Sequence, residues 1–158
     1  MKKLRFVLAI LLLFVAMPLS AQDYSTSIGV RGGFLSGVSG KFFIDNEDAI
    51  EVVGALHYNG LLISGIFQRH ANAFDAPGLN WYYGGGVHLG FYQRRYTPWD
   101  NDETGNVSIL GINGVLGLEY KIEEIPFTVG IDITPAFNLI GHTGYWMSGG
   151  LTLRYILN

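Results

Sequence analysis

Cysteine is absent from the chain. No disulfide, no thiol nucleophile and no lipoprotein acylation site is therefore available, so any membrane anchoring has to come from the strands themselves. Charge is also sparse, with Asp, Glu, Lys and Arg making up 15% of the 158 residues. Much of the positive charge lies in the first segment, MKKLRFVLAILLLFVAMPLSAQD, where Lys2, Lys3 and Arg5 precede an apolar stretch from Phe6 to Val15, then Pro18, Ser20 and Ala21. That order reads as a secretory signal peptide over residues 1–21, too short for a comfortable spanning helix. Setting Lys2, Lys3 and Arg5 aside leaves seven of the ten Lys and Arg against thirteen Asp and Glu, a net charge near −6. Such a balance argues against a nucleic-acid partner, because phosphate backbones need a basic surface.

What the chain does have is 22 glycines, 14% aromatic residues and a positive mean hydropathy. A soluble β-sandwich could bury an ordinary core at this length, but that composition opposes it. The segment from Asn106 to Asn138 decides the class. Phe127, Val129, Ile131, Ile133, Pro135, Phe137 and Leu139 alternate with Thr128, Gly130, Asp132, Thr134, Ala136 and Asn138. The run before it repeats the pattern, with Leu110, Ile112, Leu116, Leu118, Tyr120 and Ile122 on one face and Gly111, Asn113, Val115, Gly117, Glu119 and Lys121 on the other. Glu123 to Pro126 form the reversal between them. Strands this long exceed the usual five or six residues of a soluble sheet and match a tilted membrane-crossing strand of about nine to eleven residues plus overhang.

The same alternation divides the rest of residues 22–158. Strands are expected over 24–34, 38–45, 49–58, 61–70 and 81–93, then the two just described, and a last one over 145–157. Asn59-Gly60 is a hairpin signal, Pro77-Gly78 stops pairing, and the longest connection is RRYTPWDNDETGN, residues 94–106. The glycines Gly84-Gly85-Gly86 precede neither a helix nor a lysine, so they read as lumen spacers and not as a phosphate loop. The fold class is therefore all-β: an eight-stranded antiparallel up-and-down transmembrane β-barrel after an N-terminal signal peptide. With a periplasmic N-terminus the longest loop is external, and Trp81, Tyr83, Tyr120, Phe127 and Tyr155 line up as a periplasmic aromatic girdle.

Four stretches carry a family resemblance: GVRGGFLSGVSGKFF from Gly29, GLNWYYGGGVHLGFY from Gly78, GLEYKIEEIPFTVGIDITPAFNLIG from Gly117 and GGLTLRYIL from Gly149. In these the chain resembles the small eight-stranded outer-membrane barrels, particularly a Bacteroidetes-type group. The resemblance implies the cell outer membrane as location and outer-membrane lipid as surroundings, and it leaves activity open. Its motifs are architectural. Such barrels usually finish on an aromatic residue, whereas this chain ends Tyr155-Ile156-Leu157-Asn158.

Candidate site residues follow from the inward faces. Arg31, Lys41, Glu51, Glu119, Lys121, Asp132 and Arg154 are expected to form a lumen charge network, because charges inside so narrow a barrel must be paired. Asp132 should lie opposite Gly117 and diagonal to Glu119, and Glu119, Asp132 and Arg154 should join. His57, His70, His88 and His142 show no ligand spacing, so lumen hydrogen bonding is the reading and no metal or cofactor is expected. His142 and Ser148 are the nearest approach to a hydrolytic pair, without an acidic partner on the last strand. In the long loop, Tyr96, Trp99, Asp100 and Asp102 are the external contact candidates. Asp100 to Gly105 partly matches a calcium loop, but Gly111 stands where the bidentate glutamate belongs.

The expected role is a structural or accessory outer-membrane barrel with a plugged polar lumen, neither an open pore nor an enzyme. The alternatives are a small subunit of a larger outer-membrane transport, secretion or barrel-insertion complex, and a lipid-modifying outer-membrane enzyme.

Overall fold

The computed structural model describes residues 24–57, 59–93 and 105–157, with the His57 side chain left out. The expected leader and the loop candidates Tyr96, Trp99, Asp100 and Asp102 lie outside the described residues. Eight strands follow one another: β1 (Thr26–Gly33), β2 (Ser36–Phe43), β3 (Asp48–His57), β4 (Gly60–Asn72), β5 (Leu79–Gln93), β6 (Asn106–Lys121), β7 (Phe127–Ile140) and β8 (Gly144–Ile156). Each pairs antiparallel with its sequence neighbour, and β1 closes on β8 from Ser27 to Gly33, so the sheet is a closed barrel. The β2–β3, β4–β5 and β6–β7 turns share one end with both chain ends, called here the terminal end; the other connections lie at the far end.

Alternation places the faces as the pattern requires. On β7 the residues Thr128, Gly130, Asp132, Thr134, Ala136 and Asn138 are buried, while Val129, Ile131 and Ile133 are exposed. Asp132 pairs with Gly117 and Glu119 with Gly130, the register expected across the tight turn. One irregularity interrupts β6 and β7. Leu110 pairs with Ile140 and Gly111 with Asn138, leaving Leu139 as an extra residue, a bulge that turns Leu139 and Ile140 both outward. At the terminal end the girdle is in place: Trp81 stacks on Tyr83 at 5.3 Å, and Phe127 meets Tyr155 edge-on at 5.3 Å.

Several boundaries differ from the expected ones. β1 is only eight residues, β2 begins and ends two residues earlier than expected, and the expected turn at 35–37 shrinks to Phe34 and Leu35. Gly33, at φ 129°, takes a backbone conformation closed to other residues and so ends β1 early. Asp48, expected in the turn between the second and third strands, begins β3 and binds Arg69 twice at 2.7 Å. Tyr24 does not continue the outward face of β1; it folds into the barrel mouth and is buried.

The β2–β3 turn is closed by Asp45, whose carboxylate accepts the amides of Asp48 at 2.7 Å and Glu47 at 2.8 Å. These two amides, Asp48 first, hold the Asp45 carboxyl below its ordinary range. A depressed folded value makes its contribution present above the unfolded carboxylate range and lost as pH falls through the folded value. Comparing denaturant midpoints of the wild type and Asp45→Ala across pH should show a gap at neutral pH that narrows in acid below about pH 4.

Candidate functional site

The lumen is layered. Toward the far end Leu35, Val53, Leu62, Tyr92 and Ile109 form an apolar cluster with Trp146 packed against it, a layer the expectation of a polar lumen did not contain. Below it the interior is polar and charged. Arg31, Lys41, Glu51, Glu119, Asp132 and Arg154 are all buried, Lys41 and Arg154 completely. Three cations meet three carboxylates, so the buried charge balances, as a site of low dielectric demands.

The structure divides these groups into two clusters. The lower one is built on Glu119 and Glu51. Glu119 accepts from Tyr24 Oη at 2.6 Å, Lys41 Nζ at 3.0 Å and Arg154 Nη1 at 2.6 Å. Arg154 spends its other nitrogens on Glu51 through Nη2 and on Ser39 Oγ through Nε at 2.8 Å. Ser39 donates its hydroxyl proton to Glu51 at 2.7 Å, and Gln68 Nε2 donates to the remaining Glu51 oxygen. Lys41 also contacts His70 Nε2 at 3.1 Å and lies 4.3 Å from the centre of the Tyr82 ring. His70 stacks on Tyr82 with ring centres 5.2 Å apart, which locks both rings under the ammonium group.

Asp132 belongs to the second cluster, and here the expected link between Asp132 and Arg154 fails. Asp132 takes both terminal nitrogens of Arg31 at 2.5 Å, and accepts from Tyr82 Oη and Thr134 Oγ1 at 3.2 Å each. The reason is a glycine. Gly150 on β8 lies beside Asp132, and a Cβ there would run into the Arg31 guanidinium. Its bare backbone is the path by which Arg31, on β1, crosses β8 to reach β7. Gly130, in the next layer down, stands between Glu119 on β6 and Thr152 on β8, and a Cβ there would run into Thr152 Oγ1 at 2.6 Å.

Lys121, expected in the network, is half-buried at the end of β6, beside Thr128 of β7. His88 and Asn138 hydrogen-bond at 2.9 Å, and Trp146 Nε1 donates to the same Asn138 oxygen at 3.1 Å. Ser148 is buried on β8 opposite Thr134, whereas His142 sits in the β7–β8 turn. The strand between Gly144 and Ser148 holds them about 13 Å apart at ~3.3 Å per residue, so this pair does not converge. Among the described residues no three His, Asp or Glu side chains gather as a metal site.

Sequence reasoning missed Tyr24 as a partner of Glu119 and Tyr82 as a partner of Asp132. Strand parity placed Tyr82 inward without naming its partner. Tyr24, expected as the first residue of a strand, precedes β1, so its direction follows the chain's entry across the mouth and not strand parity.

The molecule thus belongs to the class of closed, eight-stranded antiparallel β-barrels, with a charged lower lumen under an apolar layer and an apolar exterior. Among solved structures it is similar to the N-terminal β-barrel domain of Pseudomonas aeruginosa OprF, with a TM-score of 0.62 at 22% identity, covering 84% of this chain and 98% of that one. At that identity the likeness establishes the fold. No protein-family model matches the chain, and no curated protein matches it significantly.

Proposed function

We propose that this chain is a structural or accessory protein of a Gram-negative outer membrane, exported by the leader at residues 1–21, with a lumen plugged by its own side chains. One observation carries the reading: burial is inverted relative to a water-soluble fold. Ile131 is 56% exposed and Leu151 61% on the outer wall, while Lys41 and Arg154 are 0% exposed inside. In water such a wall is a large apolar patch. In hydrocarbon it is the required surface, and closure of β1 on β8 joins the first and last strands in one ladder.

The plug follows from width and pairing. Eight strands enclose a space that side chains can just fill. Between Arg31, Ser64, His88, Asn113 and Thr134 a cavity of about 20 Å³ remains, room for a single water.

The test is reconstitution into planar bilayers together with fractionation of the native cell envelope. The expected outcome is recovery with the outer membrane and a bilayer without stepwise conductance. Conductance steps would overturn the plugged lumen, and recovery in the soluble periplasmic fraction would overturn the membrane assignment.

A further inference from the structure

The wall of the barrel has a notch at the far end. The last β1–β8 pair is Gly33 with Gly150, yet β8 continues from Gly149 up to Gly144 alongside β7 alone. Along that strand the unmatched stretch measures about 20 Å at ~3.3 Å per residue. Its cause is the early end of β1 at Gly33, where the chain turns through Phe34 and Leu35 into β2.

A cavity of about 170 Å³ lies behind the notch. Leu62, Tyr92 and Ile109 form its inner side, and these are lumen residues of β4, β5 and β6. Tyr145 and Phe34 line it as well, although Tyr145 is 61% exposed on the outer wall and Phe34 sits exposed in the β1–β2 turn. A cavity lined by Trp146 from the inner face of β8 and by Tyr145 from its outer face straddles the strand edge. It therefore joins the apolar upper lumen to the lipid-facing wall. The lining is dominated by aliphatic and aromatic carbon, with polar atoms supplied by Asn138, which is bonded to Trp146, and by His142.

We propose that this notch takes the end of a hydrocarbon chain from a membrane lipid of the outer leaflet, laid sideways through the wall against Leu62, Ile109 and Trp146. The inference rests on the membrane-spanning reading above. An apolar cavity of ~150 Å³ holds about six carbons, so the site fits the terminal segment of an acyl chain and excludes its headgroup. Occupation also shields the β8 edge, whose backbone in this stretch has no β1 ladder, from being left bare in hydrocarbon.

Two single-tryptophan proteins test this in phosphatidylcholine vesicles whose chains are brominated near their methyl ends. Trp81→Phe with Trp99→Phe leaves Trp146 at the notch; Trp99→Phe with Trp146→Phe leaves Trp81 on the lipid-facing wall. In a plain bilayer those bromines lie at the midplane, away from the far end. Chain entry brings them to Trp146, whose emission should fall by half or more, and filling the cavity with Ile109→Phe or Leu62→Phe should restore most of it. Trp81, in the girdle at the terminal end, reports insertion in every variant, including the filled ones, through its quenching in parallel vesicles whose chains are brominated near the headgroup. Trp146 quenching that is absent, or unchanged by both filling substitutions while Trp81 remains quenched, overturns the lipid site. Loss of Trp81 quenching in the unfilled protein overturns the membrane-spanning reading itself.

Discussion

Arg154→Met should destabilise the barrel by about 3–5 kcal/mol, the usual cost of removing one partner from a buried ion pair. The substitution keeps most of the side chain's volume and deletes all of its charge. Glu119 would keep Tyr24 and Lys41 as donors, and Glu51 would keep Ser39 and Gln68. Neither set replaces the guanidinium that bridges the two carboxylates, and the buried charge would no longer balance. Denaturant unfolding in detergent micelles, followed by the mobility difference between unheated and boiled samples, gives the comparison. Adding Glu119→Gln to Arg154→Met should recover part of the loss, since it removes the uncompensated charge. Arg69→Ala is the control: its two bonds to Asp48 are short, but the Arg69 side chain is 49% exposed, where solvent screening leaves such a pair little to contribute. If Arg154→Met cost no more than Arg69→Ala, the lumen charges would have to be solvated, and the plug would be open to water.

Gly150→Val should cost a similar ~3–5 kcal/mol by the same logic of a broken buried pair, although no charged residue is touched. The valine side chain would occupy the space through which the Arg31 guanidinium reaches Asp132. Arg31 would have to withdraw, leaving Asp132 with the Tyr82 and Thr134 hydroxyls alone. Gly149, the next residue, provides the contrast. It faces outward, and a Cβ there meets only the Asp132 carbonyl oxygen, at an ordinary 3.8 Å. Gly149→Val should stay within ~0.5 kcal/mol. Equal effects at the two positions would mean that the strand backbone, and not the Arg31 crossing, sets the requirement for glycine.

The two glycines also mark the limit of what strand pattern reveals. Period two tells which residues face inward, and a tight turn such as Glu123 to Pro126 sets the register of the strands it joins. From those alone Asp132 is placed beside Gly117, and the inward set containing Arg31, Lys41, Glu51, Glu119 and Arg154 is assembled as the structure has it. The partner of each charge is another matter. Arg31 and Asp132 are 101 residues apart, and Arg154 and Glu51 are 103. Their meeting depends on how β1 closes on β8, a pairing no turn specifies, and on the stagger that closure imposes.

Alternation of apolar and polar residues, with turn residues at the right intervals, was enough by itself to determine an eight-stranded barrel, its inside and outside, and its girdle, because side-chain direction in a strand is a local property. Closure decided the rest. It divided the six charges into two clusters, drew Tyr24 into the mouth, and left β8 standing past β1 as a notch. Each of these depends on which strands face one another across the lumen and how far they are offset, a relation that exists only once the sheet has curled and its first and last strands have met.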